Sequence, residues 1–166
     1  VDKGWHHFEE THRIPLIVRF PGSQWAGKVH QELVSLADLY PTILDMAGHA
    51  WDTEAVHGTS LVPLIEGDTA QWRESVVTEF GGLGNLGMTQ RTLRCGSYKY
   101  GYNAWGDDEL YNLSDDPYET RNLIRHPAMV DVVADLRQRL LLWMQRTNDP
   151  AERMYRLALS YHQMSE

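Results

Sequence analysis

With 166 residues, 42% of them hydrophobic, the chain is long enough to bury a core and close to the length of one ordinary domain. Its 15 Lys and Arg against 23 Asp and Glu give a net charge of −8, with no basic stripe to follow a phosphate backbone, so nucleic acid is excluded as an expected partner. The single cysteine, Cys95, rules out an intrachain disulfide framework and a thiolate metal cluster, and no run approaches the roughly 20 apolar residues of a membrane-spanning helix. A chain that begins on Val rather than Met is expected to continue a longer reading frame upstream.

The first organised stretch, Ile14–Phe20, is a short apolar run without alternation, closed by Pro21-Gly22. That pattern predicts a strand buried on both faces of a parallel sheet. In "SLADLYPTILDMAG" the apolar positions recur at helical spacing, Ser35 and Asp38 form a capping-box pair, and Gly48 stands where a C-terminal cap belongs. Pro41 should bend this helix or mark a late start. "TSLVPLIEG" predicts a short helix or turn, after which the pattern changes. "ESVVTEF", "MTQRTLR", "YKYGYN" and "ELYNL" are short, rich in Val, Thr, Tyr and Phe, and separated by Gly, Asn or Asp, as expected of a small antiparallel sheet. "HPAMVDVVADLRQRLLLWMQR" gives the clearest helix, with Val133, Leu136, Leu140 and Met144 on one face to cover that sheet. Past Asp149-Pro150 a weaker helix is expected, with Met154, Leu157 and Tyr161 as its apolar positions. The fold class is therefore α/β: a buried strand and helix, then a small antiparallel sheet packed on a C-terminal helix. The expected divisions are 1–68, 69–149 and a helical or flexible tail, 150–166.

Two constellations invite chemistry. Gly82-x-Gly84-x-x-Gly87 imitates a dinucleotide fingerprint, but "MTQRTLRCGSY" offers no helix at the third glycine to meet a pyrophosphate, so a turn-forming loop is expected. The opening stretch "DKGWHHFEETHR" crowds ligand-type side chains without a helical metal spacing. Glu9 or Glu10 with Arg13 reads as a salt-linked helix end leading into the strand. No metal site is expected within this chain, and no serine or cysteine has the context of an activated nucleophile.

The order of motifs resembles the sulfatase family. "FEETHRIPLIVRFPG" is similar to its Tyr-Glu-Glu-Ser-x-Arg-x-Pro-Leu-Ile segment, "ELVSLADLYPTILDMAG" and "HGTSLVPLIEG" to its next landmarks, and "RTLRCGSYKYGYN" with "ELYNLSDDPYETRNL" to its closing signature. The resemblance implies the C-terminal portion of a sulfatase of the alkaline phosphatase-like superfamily, with a partial α/β core. Such enzymes hydrolyse sulfate esters with a formylglycine beside a Ca²⁺ ion. Neither the Cys/Ser-x-Pro/Ala-x-Arg nucleophile motif nor the acidic calcium motif is in this sequence, so both are expected elsewhere in the full enzyme and this chain alone is expected to be inactive.

The resemblance further implies a sulfate-contacting lysine shortly before the Tyr-Glu-Glu motif, a place that Lys3 nearly occupies, at a spacing one residue longer. His6, His7, Asn85, Asn103 and Trp105 are candidate substrate contacts. A relative acting on phosphate or phosphonate esters, or a non-catalytic fragment that self-associates through exposed strand edges, are the competing readings. Localisation is not legible.

Overall fold

The computed structural model describes residues 6–81 and 89–164. The chain divides into two compact units, Pro15–Val76 and a unit formed by Val1–Ile14 with Val77–Glu166.

In the Pro15–Val76 unit, Ser35 and Asp38 form the expected capping box. The Asp38 carboxylate accepts from the Ser35 N–H at 2.7 Å, and the Ser35 hydroxyl accepts from Ala37 N–H. A 3-10 turn, Leu36–Asp38, runs into α1a-type continuity with helix Leu39–Met46, so Pro41 lies in the first turn, where its missing N–H costs nothing. Asp38 is completely buried, and its second oxygen accepts from Thr59 N–H at 2.9 Å and from Arg73 at 2.6 Å. The Thr42 hydroxyl accepts from Leu61 N–H at 2.8 Å, and Ser60 donates to Asp45 at 2.7 Å. The "HGTSLVPL" landmark is thus a connector: its backbone and hydroxyls close onto the preceding helix, and Leu61 and Leu64 are buried below. The helix Val62–Glu66 ends at Gly67, whose φ of 103° supplies the left-handed cap.

The run Ile14–Phe20 corrects the expectation of a buried strand. No strand forms there, and Ile17 is 92% exposed. A lone extended segment has no ladder to join, because the four strands among the described residues pair with one another, and Pro15 removes a donor. Leu36, Tyr40, Ile43 and Met46 also stand exposed along one side of their helix.

The other unit is built on a meander. Strands β1 (Ser75–Phe80), β2 (Gln90–Cys95), β3 (Tyr98–Asn103) and β4 (Glu109–Asn112) lie in that order. β2 and β3 pair antiparallel with Thr92 opposite Gly101 and Leu93 opposite Tyr100; β3 and β4 pair antiparallel with Lys99 opposite Tyr111 and Tyr100 opposite Leu110. The two-residue side-chain period separates two faces. Leu93, Tyr100, Tyr102 and Leu110 form one, buried with Val133, Leu136, Leu140 and Met144 of the long helix Val130–Arg146. Thr92, Arg94, Lys99, Glu109 and Tyr111 share the other.

A final helix, Glu152–Met164, packs by a different side than expected. Tyr155 is fully buried with Ala158 and Leu159 against the core, whereas Met154, Leu157 and Tyr161 are 42%, 54% and 71% exposed. The apolar spacing is ambiguous between the two sides, and Tyr155 decides it. Its ring packs on Tyr102 at 4.6 Å and its hydroxyl donates to Arg137 O at 3.2 Å, so a large side chain is buried with its polar tip satisfied. Asp149 starts this helix by accepting from Ala151 N–H at 2.8 Å, while Arg91 grips the same carboxylate through Nε at 2.6 Å and Nη2 at 2.8 Å.

Candidate functional site

The opening stretch of the chain covers the polar face of the sheet. A single turn of helix, α1 (Glu9–His12), begins after Phe8, whose ring centroid lies 6.4 Å from that of Tyr111. Lys99, mid-strand in β3 and only 3% exposed at its side chain, holds this turn in place. Its Nζ lies 2.8 Å from Glu119 Oε1 and 3.2 Å from Glu9 Oε1, and the Glu9 backbone N–H donates to Glu119 Oε2 at 2.6 Å. Glu119 reaches this position in a left-handed conformation, φ 54°, which costs a non-glycine residue about 1–3 kcal/mol and persists where the surroundings demand it. Glu9 therefore bonds to Lys99, and the expected Glu9–Arg13 or Glu10–Arg13 link is not what ends this helix; Arg13 is exposed.

His7 lies beside this triad. Its Nδ1 is hydrogen-bonded to the Thr92 hydroxyl, its ring lies 4.6 Å from that of His12, and Phe80 meets it edge-on at 6.3 Å. Burial first, then the charges of His12, Lys99 and Arg91, push the His7 imidazole down to about 4. His12 is likewise lowered, by burial and then by Lys99. Burial raises Glu109 above the usual carboxylate range, and burial with the neighbouring Glu109 charge raises the Tyr111 phenol. At neutral pH His7 is a neutral hydrogen-bonding group, suited to anchoring its own segment.

A depressed imidazole favours the deprotonated folded state, so its contribution to stability is complete above the unfolded value of about 6.5 and is lost as pH falls toward 4. His7→Gln should flatten that acid limb of the stability profile between pH 6.5 and 4, measured by urea denaturation at stepped pH. An unchanged limb would remove His7 from the account.

The remaining candidates separate. His6 is exposed and stacks on Phe8 at 5.5 Å. Asn103 ends β3 on the same face as Thr92, but its Oδ1 accepts from Trp105 N–H at 3.2 Å, so its carbonyl shapes the β3–β4 turn. Trp105 is 70% exposed in that turn. Lys3, Asn85 and the Gly82–Gly87 loop lie outside the described residues. Among the described residues no group of three His, Cys, Asp or Glu side chains is arranged to hold a metal ion. Cys95 sits on the helix-covered side of β2 in the sequence Cys-Gly-Ser-Tyr, which is not a formylglycine motif. The residues described do not fit either group, and no catalytic step through calcium or formylglycine is assigned to them.

Sequence reading had placed Lys99 and Glu119 inside the closing signature without a role. Glu119 belongs to "DPYETRNL", and the same stretch supplies Asn122, whose Oδ1 accepts from Leu110 N–H at 3.0 Å and whose Nδ2 donates to Asp108 O at 3.2 Å. That signature is the clasp that binds β4 and the opening segment together. Residues 1–146 match the family described as N-sulphoglucosamine sulphohydrolase, C-terminal. The chain belongs to this sulfatase family.

Three relatives set the scale of the match. An uncharacterized protein of Haemophilus influenzae is 30% identical over 161 residues, covering 95% of this chain and 81% of that one. The choline-sulfatase of Rhizobium meliloti is 32% identical over 122 residues, covering 72% of this chain and 23% of the enzyme. The solved phosphonate monoester hydrolase of Agrobacterium radiobacter has 26% identity and a TM-score of 0.62, covering 74% of this chain and 27% of that one. The sulfatase chain therefore spans most of the Haemophilus protein but about a quarter of the two enzymes. Its fold is the C-terminal part of the alkaline phosphatase-like α/β architecture.

Proposed function

We propose that this sulfatase chain is the C-terminal part of an enzyme that hydrolyses sulfate esters, with the nucleophile and divalent ion supplied by residues outside it. The observation that carries the reading is the fastening of the opening segment to the sheet by Glu9, Lys99 and Glu119. It holds Phe8 and the turn behind it on a buried ion triad, so that the residues just before Phe8 are presented from a fixed base. Lys3, in that stretch, offers a mobile ammonium with three donors to a tetrahedral anion. The exposed Ile14–Phe20 run and the outward Leu36, Tyr40, Ile43 and Met46 support the same reading, since such elements belong beside further strands and helices of an α/β core.

Lys3→Met, introduced in the full reading frame that encodes this chain, should lower kcat/KM for a chromogenic aryl sulfate by about 100-fold. Unchanged kcat/KM would take Lys3 out of the site. The phosphonate monoester hydrolase of the same fold supports a second reading, in which the ester is a phosphonate.

A further inference from the structure

We propose that Lys99 and Glu119 are positioning residues, a clasp that sets the register of the opening segment on the sheet and thereby fixes the residues before Phe8. Its functional consequence rests on the sulfate-ester reading above; the clasp itself rests on geometry. The ammonium is shared between two carboxylates, at 2.8 Å to Glu119 and 3.2 Å to Glu9, and Glu119 also takes the Glu9 backbone N–H at 2.6 Å. These three residues come from parts of the chain 90 and 110 residues apart.

The arrangement is poorly explained as a device for stability. The core lies on the opposite face of the sheet, under the long helix, and takes nothing from the triad. An apolar trio would cover this face without the desolvation cost of three charges, whereas the best-attested use of buried ionic groups is to specify one register. The geometry has that property. Glu119 grips both the side chain and the backbone of Glu9, so a slip of one residue along the turn would offer it Phe8 or Glu10 in the wrong orientation. The left-handed Glu119 backbone is what turns its carboxylate toward both partners. In the ladder Lys99 faces Tyr111 on one side and Arg94 on the other, so a second cation at the neighbouring position accompanies the two carboxylates.

Hydrogen exchange of this chain, followed by mass spectrometry, tests the clasp without any assay of turnover. Lys99→Met should raise exchange across residues 6–12 at least tenfold while peptides of the helix Val130–Arg146 keep their protection, and Lys99→Arg should restore part of the loss. Glu9→Gln, at the partly exposed end of the triad, tests the same point without endangering the sheet and should loosen the same peptide by a smaller factor. In the full reading frame Glu9→Gln should raise KM for an aryl sulfate several-fold with a smaller change in kcat. Exchange over 6–12 that is unchanged in both variants, or that rises in step with β3 and the long helix, would overturn the clasp. Absence of turnover in the unmodified protein would instead refute the sulfate-ester reading and leave the exchange result to judge the clasp.

Discussion

Gly58→Ala should unfold the Pro15–Val76 unit. A Cβ at this position would stand 2.0 Å from the carbonyl oxygen of Ala37 and 2.5 Å from its carbonyl carbon. Both are backbone atoms in the capping-box turn, so no side-chain rotation relieves the overlap. The next residue, Thr59, donates to the buried Asp38 carboxylate, so moving the strand aside breaks that bond and leaves Arg73 as the carboxylate's remaining connection from beyond the turn. Overpacking with the loss of a buried charged hydrogen bond should cost about 3 kcal/mol or more. Gly81→Ala meets nothing within 4 Å and should be close to neutral. Urea denaturation of both variants, with limited proteolysis to locate the opened region, checks the contrast. Equal stability of the two would show that the close approach at Gly58 is not essential.

Arg91→Met should be the most damaging substitution in the sheet unit. Arg91 is buried beneath the connection between the last two helices, where it holds Asp149 through two hydrogen bonds and donates to the carbonyls of Phe80, at 3.3 Å, and Gln90, at 2.9 Å. Burial pushes the Asp149 carboxyl up, but the Arg91 hydrogen bonds and the Ala151 N–H outweigh it and hold the group below its usual range. Removing the guanidinium strands a carboxylate whose side chain is 1% exposed, at a cost of about 3–5 kcal/mol. Arg91→Met combined with Asp149→Leu should recover much of that loss, because the penalty lies in the unpaired charge rather than in the missing pair. A double variant as unstable as the single one would assign the cost to packing. The depressed Asp149 carboxyl adds stability that is present above its unfolded pKa, about 3.9, and lost as pH falls through the lower folded value.

What the sequence made legible was local. The capping box at Ser35 and Asp38, the four strands and the amphipathic stripe of Val133, Leu136, Leu140 and Met144 each follow from spacing within a few residues. The errors came where a neighbour decides. Ile14–Phe20 has the composition of a buried strand, yet burial requires partners that spacing cannot supply. In the last helix, Met154, Leu157 and Tyr161 fit a helical stripe as well as Tyr155, Ala158 and Leu159 do, and only the space beside Tyr102 selects between them.

The candidate site was legible only in outline. His6 and His7 stood out by residue type, but the groups that hold their segment, Lys99 and Glu119, looked like ordinary members of a strand and a turn. The pairing of Glu9 with Glu119 spans 110 residues, a distance over which no local pattern carries information. Asn103 shows the converse: an exposed-looking amide that invited a substrate role is occupied in shaping a turn.

The most direct test of the account is turnover by the protein from the full reading frame, with calcium present, on a chromogenic aryl sulfate and on the matching aryl phosphonate monoester. A kcat/KM for the sulfate ester at least tenfold above that for the phosphonate is the expected result. Preference for the phosphonate, or no hydrolysis of either ester, would contradict the proposed reaction.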